Sequence, residues 1–315
     1  MKIAIAGAGA MGGRFGYMLS KAGQDVILID QWDVHIAAIR EHGLQVNDGD
    51  VIETVQLPIY RPEELVANPV DIDLVILFTK SLQLEGMLQA IQPLIQAQTS
   101  VLCLLNGIGH ETTIEKYVSK ENIFLGCTMW TAGLEGPGKV KLPGGVNGYV
   151  VLQNLHSESK QTALRIAEVL STAGLHARYS DHVLYEIYKK ACANGATNAV
   201  CTLLEANLST FGETTCAETI VRTTVGEYVA VAEAEGVDLD IDAMTDFVKT
   251  AFDPAGIGGH YPSTYQDLIL MNRRTEVDCI NGIIAVKGEA YGISTPYCAF
   301  VTELIHCKEE ILGAI

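Results

Sequence analysis

The chain has 315 residues, 48% of them hydrophobic and 19% charged; at roughly 150 residues per domain that is enough for about two domains, and it is too apolar and evenly mixed for disorder, collagen or a coiled coil. Its 21 Lys and Arg against 38 Asp and Glu give a formal charge of −17, which repels a phosphate backbone and an anionic membrane surface alike, so neither nucleic acid nor a membrane is an expected partner. A small anionic ligand stays open, because a few local donors outweigh a screened surface field.

The first apolar run, Lys2 to Ala6, is short, and the opening MKIAIAGAGAMGG is glycine-punctuated and followed by Arg14. It does not read as a signal-peptide core or a membrane span, and a cytoplasmic protein is expected. Directly after it, Gly7-Ala8-Gly9-Ala10-Met11-Gly12 opens an Ala/Leu-rich helical segment. This strand–turn–helix context is what the dinucleotide fingerprint needs. The first glycine allows the tight turn, the second lets backbone approach the pyrophosphate, and the third lets helix pack on strand. The second run, Val26 to Ile29, ends at Asp30, close to the expected twenty-residue offset, where a carboxylate accepts from the adenosine ribose hydroxyls. The following Gln31, Trp32, Asp33 and Val34 supply no Arg or Lys for a 2′-phosphate, so NAD is favoured over NADP.

Further runs at Leu74 to Phe78, Val101 to Leu105 and Ile123 to Gly126 alternate with helical patterns, the rhythm of βαβ units on a parallel sheet. Lys80 and Asn106 stand at the ends of two of these strands, where open α/β sheets place ligands. A strand-end lysine is also commonly just solvated, and Asn-Gly is an ordinary turn dipeptide. Val140, Leu142, Tyr149 and Val151, among clustered glycines between Met129 and Leu155, suggest a meander or hairpin, and one more helix follows near Ser159 to Ala173. Beyond about Ser180 helical patterns take over. The expected fold is α/β: a Rossmann-like, doubly wound parallel sheet over residues 1–180 and an all-helical substrate and catalytic domain over 181–315, with the boundary near 175–182. Phe252 to Tyr261 is its longest expected loop. Eight scattered cysteines and eight dispersed histidines lack any metal-ligand spacing, so no metal is expected and the cysteines read as reduced small hydrophobes.

Leu184 to Leu204 reads as one long helix in which Lys190, Asn194 and Asn198 recur every fourth residue among Ala, Cys, Val and Leu. That spacing puts all three on one face. A lysine and two amides set among apolar residues cost free energy unless something polar meets them, and a ligand would do so. The other reading makes the neighbouring Lys189 the solvent-facing one and lets the asparagines bridge to a second helix.

With this face in view, the sequence resembles the ketopantoate reductase family (2-dehydropantoate 2-reductases) in an ordered set of motifs. These are GAGAMG at 7–12, LFTK at 77–80, LLNGIGHE at 104–111, EGPGKV at 135–140, KKACANGATN at 189–198, YPSTYQDL at 261–268 and TEVDCING at 275–282. The resemblance implies a Rossmann domain joined to a helical domain, and reduction of a 2-oxo acid to the D-2-hydroxy acid by a nicotinamide cofactor. It makes Lys190 the general acid and gives Asn194 the task of orienting Lys190 or bonding substrate. Asn198 and Ser263 fall in the substrate pocket, with Ser263 equally suited to cap a helix after Pro262. Asn106 holds nicotinamide or substrate, and Lys80 joins Gly7, Gly9, Ala10, Met11, Gly12 and Asp30 on the cofactor side. Glu276 is the active-site carboxylate, with Asp278 in reserve.

Asp30 departs from the NADPH-using members and is similar instead to the NAD-dependent D-2-hydroxyacid dehydrogenase branch, of which D-mandelate dehydrogenase is a member. That implies 2-oxo acids with branched or aromatic side chains, with ketopantoate reduction as the alternative. β-Hydroxyacid dehydrogenases, which share the lysine and the asparagine four residues on, are the nearest rival. A non-catalytic nicotinamide-sensing regulator is the rival from another class. A homodimer is the expected assembly.

Overall fold

The computed structural model describes residues 1–49, 51–143 and 148–314. The chain divides into two compact units: 1–105 with 110–183, and 106–109 with 184–315.

The first unit holds β1 (Lys2–Ala6), β2 (Asp25–Ile29), β3 (Leu44–Asn47), β4 (Ile52–Val55), β5 (Ile59–Tyr60), β6 (Leu74–Leu77), β7 (Ser100–Cys103), β8 (Ile123–Thr128), β9 (Gly133–Gly136), β10 (Lys139–Lys141), β11 (Val150–Asn154) and β12 (Ala177–Tyr179). Eight of them form the main sheet, in the order β12-β11-β8-β7-β6-β1-β2-β5. Every pairing in it is parallel except that of β11 with β8. Strands β6, β7 and β8 are buried at every residue, which is why they read as unbroken apolar runs: a parallel sheet is covered on both faces. Fully buried Ile3, Ile5, Leu28 and Ile76 each contribute about 1.5–3 kcal/mol by leaving water. The helices α1 (Ala10–Lys21) and α2 (Asp33–His42) follow β1 and β2 directly.

The segment from Met129 to Leu155 is not one meander. Strands β9 and β10 form a hairpin whose second strand pairs in parallel with β3, building a separate four-stranded sheet β4-β3-β10-β9. Strand β11 instead joins the main sheet. Residues 144–147 of this segment lie outside the described residues. Burial explains the division: β11 hides its first three residues, fit for a two-sided environment, whereas β10 buries only Val140 between two exposed lysines. A Cβ at Gly13 of α1 would lie 2.6 Å from the Val140 side chain, so that glycine lets the hairpin seat against the helix.

In the second unit no strand occurs among the described residues. The long helix runs Val183–Leu204, and Tyr188, Cys192, Ala196 and Cys201 on it pack with Val221, Val225 and Tyr228 of the helix Ala217–Ala234. Gly195 allows that approach, since a Cβ there would fall 2.3 Å from the Tyr228 hydroxyl. The segment 252–262 is turn and loop, as expected. Cys103, Cys127, Cys192, Cys201 and Cys298 are buried, the place of small hydrophobes.

Candidate active site

In the first unit, Gly7 and Gly12 are demanded by the fold. Gly7 has φ +97°, and a Cβ on it would sit 2.6 Å from the Phe78 and Thr79 backbone; a Cβ on Gly12 would sit 1.9 Å from the Gly7 carbonyl. Gly9 differs. It caps α1 in extended geometry, and a Cβ there would have no atom within 4 Å. No acidic residue lies in the first turn of α1, so its N-terminal amides are left for an anion. Beside Gly7, the buried Thr79 hydroxyl has no hydrogen-bond partner among the described residues. The cradle, the open helix end and the orphaned hydroxyl fit the pyrophosphate of a dinucleotide. Ala10 and Met11 form the first turn of α1, and Lys80 follows Thr79 on the segment leaving β6.

Asp30 ends β2 with its carboxylate fixed by three backbone amides: Oδ2 accepts from Ala8 at 2.6 Å, and Oδ1 from Gln31 at 2.8 Å and Trp32 at 2.9 Å. Four lone-pair sites less three leaves acceptor capacity for a ribose hydroxyl. The sequence missed two residues here. Thr79 was signalled only by its place in LFTK. Arg61 is a cation that the residues directly after Asp30 do not announce. Strands β2 and β5 pair Leu28 with Ile59 and Ile29 with Tyr60, which makes Arg61 the next residue in register with Asp30. Its guanidinium, however, is turned to Asp33, with Nε 2.9 Å from Oδ1.

The second unit collects the remaining residues. Lys190 and Asn194 are half-buried and Asn198 is buried on the long helix. The neighbouring Lys189 is also half-buried and lays its Nζ 4.5 Å over the Phe247 ring. The Asn198 amide donates to the Ser263 hydroxyl at 3.5 Å, so two expected substrate residues from distant segments meet; Ser263 opens the short helix Ser263–Tyr265. Glu276 is buried whereas Asp278 is exposed, 2.9 Å from His306. That arrangement withdraws Asp278 as the reserve carboxylate.

Asn106 belongs to this unit because its loop is stitched there. The Ile108 amide donates to the Cys279 carbonyl at 3.0 Å, and Gly107, at φ +100°, passes so close that a Cβ would lie 2.4 Å from the same oxygen. Next to Cys279, the Ile280 carbonyl accepts from the Tyr228 hydroxyl at 2.8 Å. The Asn281 side chain donates to the Gly195 carbonyl at 3.0 Å, which anchors the 276–281 segment to the long helix between Asn194 and Asn198. Asn281 was not singled out in the sequence, since a buried asparagine bonded to a helix backbone has no local signature. Among the described residues no group of His, Cys, Asp and Glu could hold a metal ion, and no helix is long and apolar enough to cross a membrane.

Residues 3–157 match the family model "Ketopantoate reductase PanE/ApbA", and residues 182–309 match "Ketopantoate reductase PanE/ApbA C terminal". The chain is 56% identical over 314 residues to the 2-dehydropantoate 2-reductase of Lactococcus lactis subsp. lactis (strain IL1403), covering 100% of both. It is also similar to a ternary structure of D-mandelate dehydrogenase with NADH and anilino(oxo)acetate, with 52% identity, a TM-score of 0.97 and 100% of each chain covered. A complex of D-mandelate dehydrogenase with NADH gives a TM-score of 0.92 at 52% identity, over 99% of this chain and 100% of that one.

Proposed function

Since the chain belongs to the ketopantoate reductase family, we propose that it is an NAD-dependent oxidoreductase interconverting a 2-oxo acid and its D-2-hydroxy acid, with a branched or aromatic side chain on the substrate. The observation that carries the cofactor choice is Asp30, held by three backbone amides at the end of β2, where its charge opposes a 2′-phosphate. The D-mandelate dehydrogenase complexes with NADH, 52% identical, support the same choice and the aromatic substrate class.

Bound NADH supplies the hydride. Lys190 supplies the proton: its ammonium polarises the substrate carbonyl and donates to the carbonyl oxygen as the carbon is reduced, and in the reverse direction the amine takes the hydroxyl proton back. Asn194, one turn along, orients Lys190 through a neutral amide that adds no competing charge. Asn198 and Ser263, already in contact, donate to the substrate carboxylate. Asn106 holds the nicotinamide amide or the substrate on a loop fixed by the Cys279 carbonyl. Glu276, a buried carboxylate, pairs with the lysine or accepts from the substrate hydroxyl. Gly7, Gly9, Ala10, Met11, Gly12 and Lys80 complete the dinucleotide side.

Replacing Lys190 by Ala should lower kcat by roughly 10²- to 10⁴-fold, the scale of losing a positioned acid, while NADH affinity by fluorescence titration stays within about twofold. Turnover near that of the parent enzyme would remove Lys190 from catalysis. A second reading, reduction of ketopantoate to D-pantoate, has its support in the 56% identity to the Lactococcus enzyme. In either case we read the chain as cytoplasmic and as a homodimer, and the exposed Tyr297, Phe300, Leu304 and Ile311 along the helix Pro296–Leu312 support the dimer. Sedimentation of a single chain at assay concentration would contradict the dimer.

A further inference from the structure

We infer that Asp33 is a second cofactor-specificity residue: by holding Arg61 in an ion pair it denies that guanidinium to a 2′-phosphate, so rejection of NADP rests on the Asp33–Arg61 pair as well as on Asp30. The inference deepens the NAD reading above and rests on it.

Register places the pair. Ile29 faces Tyr60 across β2 and β5, and the Asp30 amide donates to the Tyr60 carbonyl at 3.1 Å, so the residue that follows Tyr60 emerges beside the ribose-binding acid. An arginine there has the planar fork suited to a phosphate. In this chain Nε and a terminal nitrogen of Arg61 both address Oδ1 of Asp33, at 2.9 and 2.6 Å. Asp33 also stands in the first turn of α2, where its carboxylate satisfies the positive helix end that would otherwise attract an anion.

A recess of about 480 Å³ opens at this edge, lined by Gln31, Asp33, Arg61, Glu63 and Glu64. Three carboxylates therefore share this recess with the Arg61 guanidinium. The nearby Arg40 bonds Glu64 and the Ile59 carbonyl and holds the Glu64 carboxyl below the usual range, so Glu64 has its own cation and Asp33 is the acid that engages the Arg61 guanidinium. Asp33 and Arg61 remain 68% and 45% exposed. A solvated pair of this kind contributes little to the fold, so it can be removed without dismantling the site.

Isothermal titration with 5′-AMP and with adenosine 2′,5′-bisphosphate tests the assignment on the parent, on Asp33→Asn and on Asp33→Asn/Arg61→Gln. Asp33→Ser serves as an independent substitution, and thermal melting verifies folding. The freed arginine should tighten bisphosphate binding by about three- to fivefold, the most a solvated pair withholds, with 5′-AMP affinity unchanged. Adding Arg61→Gln should abolish most of the gain. An unchanged ratio in both Asp33 variants, or a gain that survives loss of Arg61, overturns the inference and leaves the NAD reading standing. Failure of the parent to bind either 5′-AMP or NADH overturns both.

Discussion

The three loop glycines share a motif but not a reason. Gly12 is glycine because its own turn folds back on it, and Gly7 because its φ is +97° and β6 runs beside it; Gly9 meets nothing that a methyl group would strike. On the proposed reading its small size makes room for the pyrophosphate. Gly9→Ala should fold and melt like the parent, yet raise the Kd for NADH by about tenfold or more, because the added carbon occupies the space of the pyrophosphate. Equal affinity in the two proteins would show that this is a connecting turn and not a phosphate cradle. The motif and Asp30 were legible in the sequence because both are local, fixed by spacing from one strand end. Arg61 was not, because it reaches Asp30 through the pairing of a two-residue strand that no periodicity announces.

Elements are joined at this site by a histidine. His35 of α2 is fully buried, stacked on Trp32 at 5.0 Å, and bonded at Nε2 to the Ala8 carbonyl (2.9 Å) and at Nδ1 to the Gly138 amide (3.0 Å). A carbonyl only accepts and an amide only donates, so the ring is neutral, with its proton on Nε2. Burial holds its pKa below the ordinary 6.5, partly opposed by the Ala8 bond and the charge of Asp30. Below that ordinary value the unfolded chain takes a proton that the folded ring refuses. The stabilisation is thus complete above about 6.5 and is lost as pH falls through the lower folded value. The melting temperature should drop between pH 7 and pH 5, and His35→Gln should flatten that slope; parallel slopes in the two proteins would exclude His35 as the link. Strands β1, β2, β6, β7 and β8 were readable as continuous apolar runs and the long helix by its length. The small sheet was not, since β4 and β10 each bury at most one face and the pairing of β10 with β3 joins distant segments.

At the scale of the whole molecule, the chain sorts its chemistry by unit. The glycine loop, Asp30 and Lys80 lie in the first, and Lys190, Asn194, Asn198, Ser263 and Glu276 in the second, joined there by Asn106 on the 106–109 loop. The sequence expectation put residue 106 with the nucleotide-binding half, because its strand is there. What assigns the loop to the second unit is the close passage of Gly107 and Ile108 over Cys279, a contact between segments far apart in the chain. Two relatives at 56% and 47% identity carry the name 2-dehydropantoate 2-reductase, while the D-mandelate dehydrogenase structure is similar at 52%. Overall identity therefore does not choose the substrate, and chemistry must. The direct measurement is initial rates with NADH and with NADPH against phenylglyoxylate, 2-oxoisocaproate and ketopantoate, with chiral chromatography of each product. A higher kcat/KM with NADH on the aromatic or branched 2-oxo acid, giving the D-hydroxy acid, is the expected result; preference for NADPH, or an L product, would contradict the account.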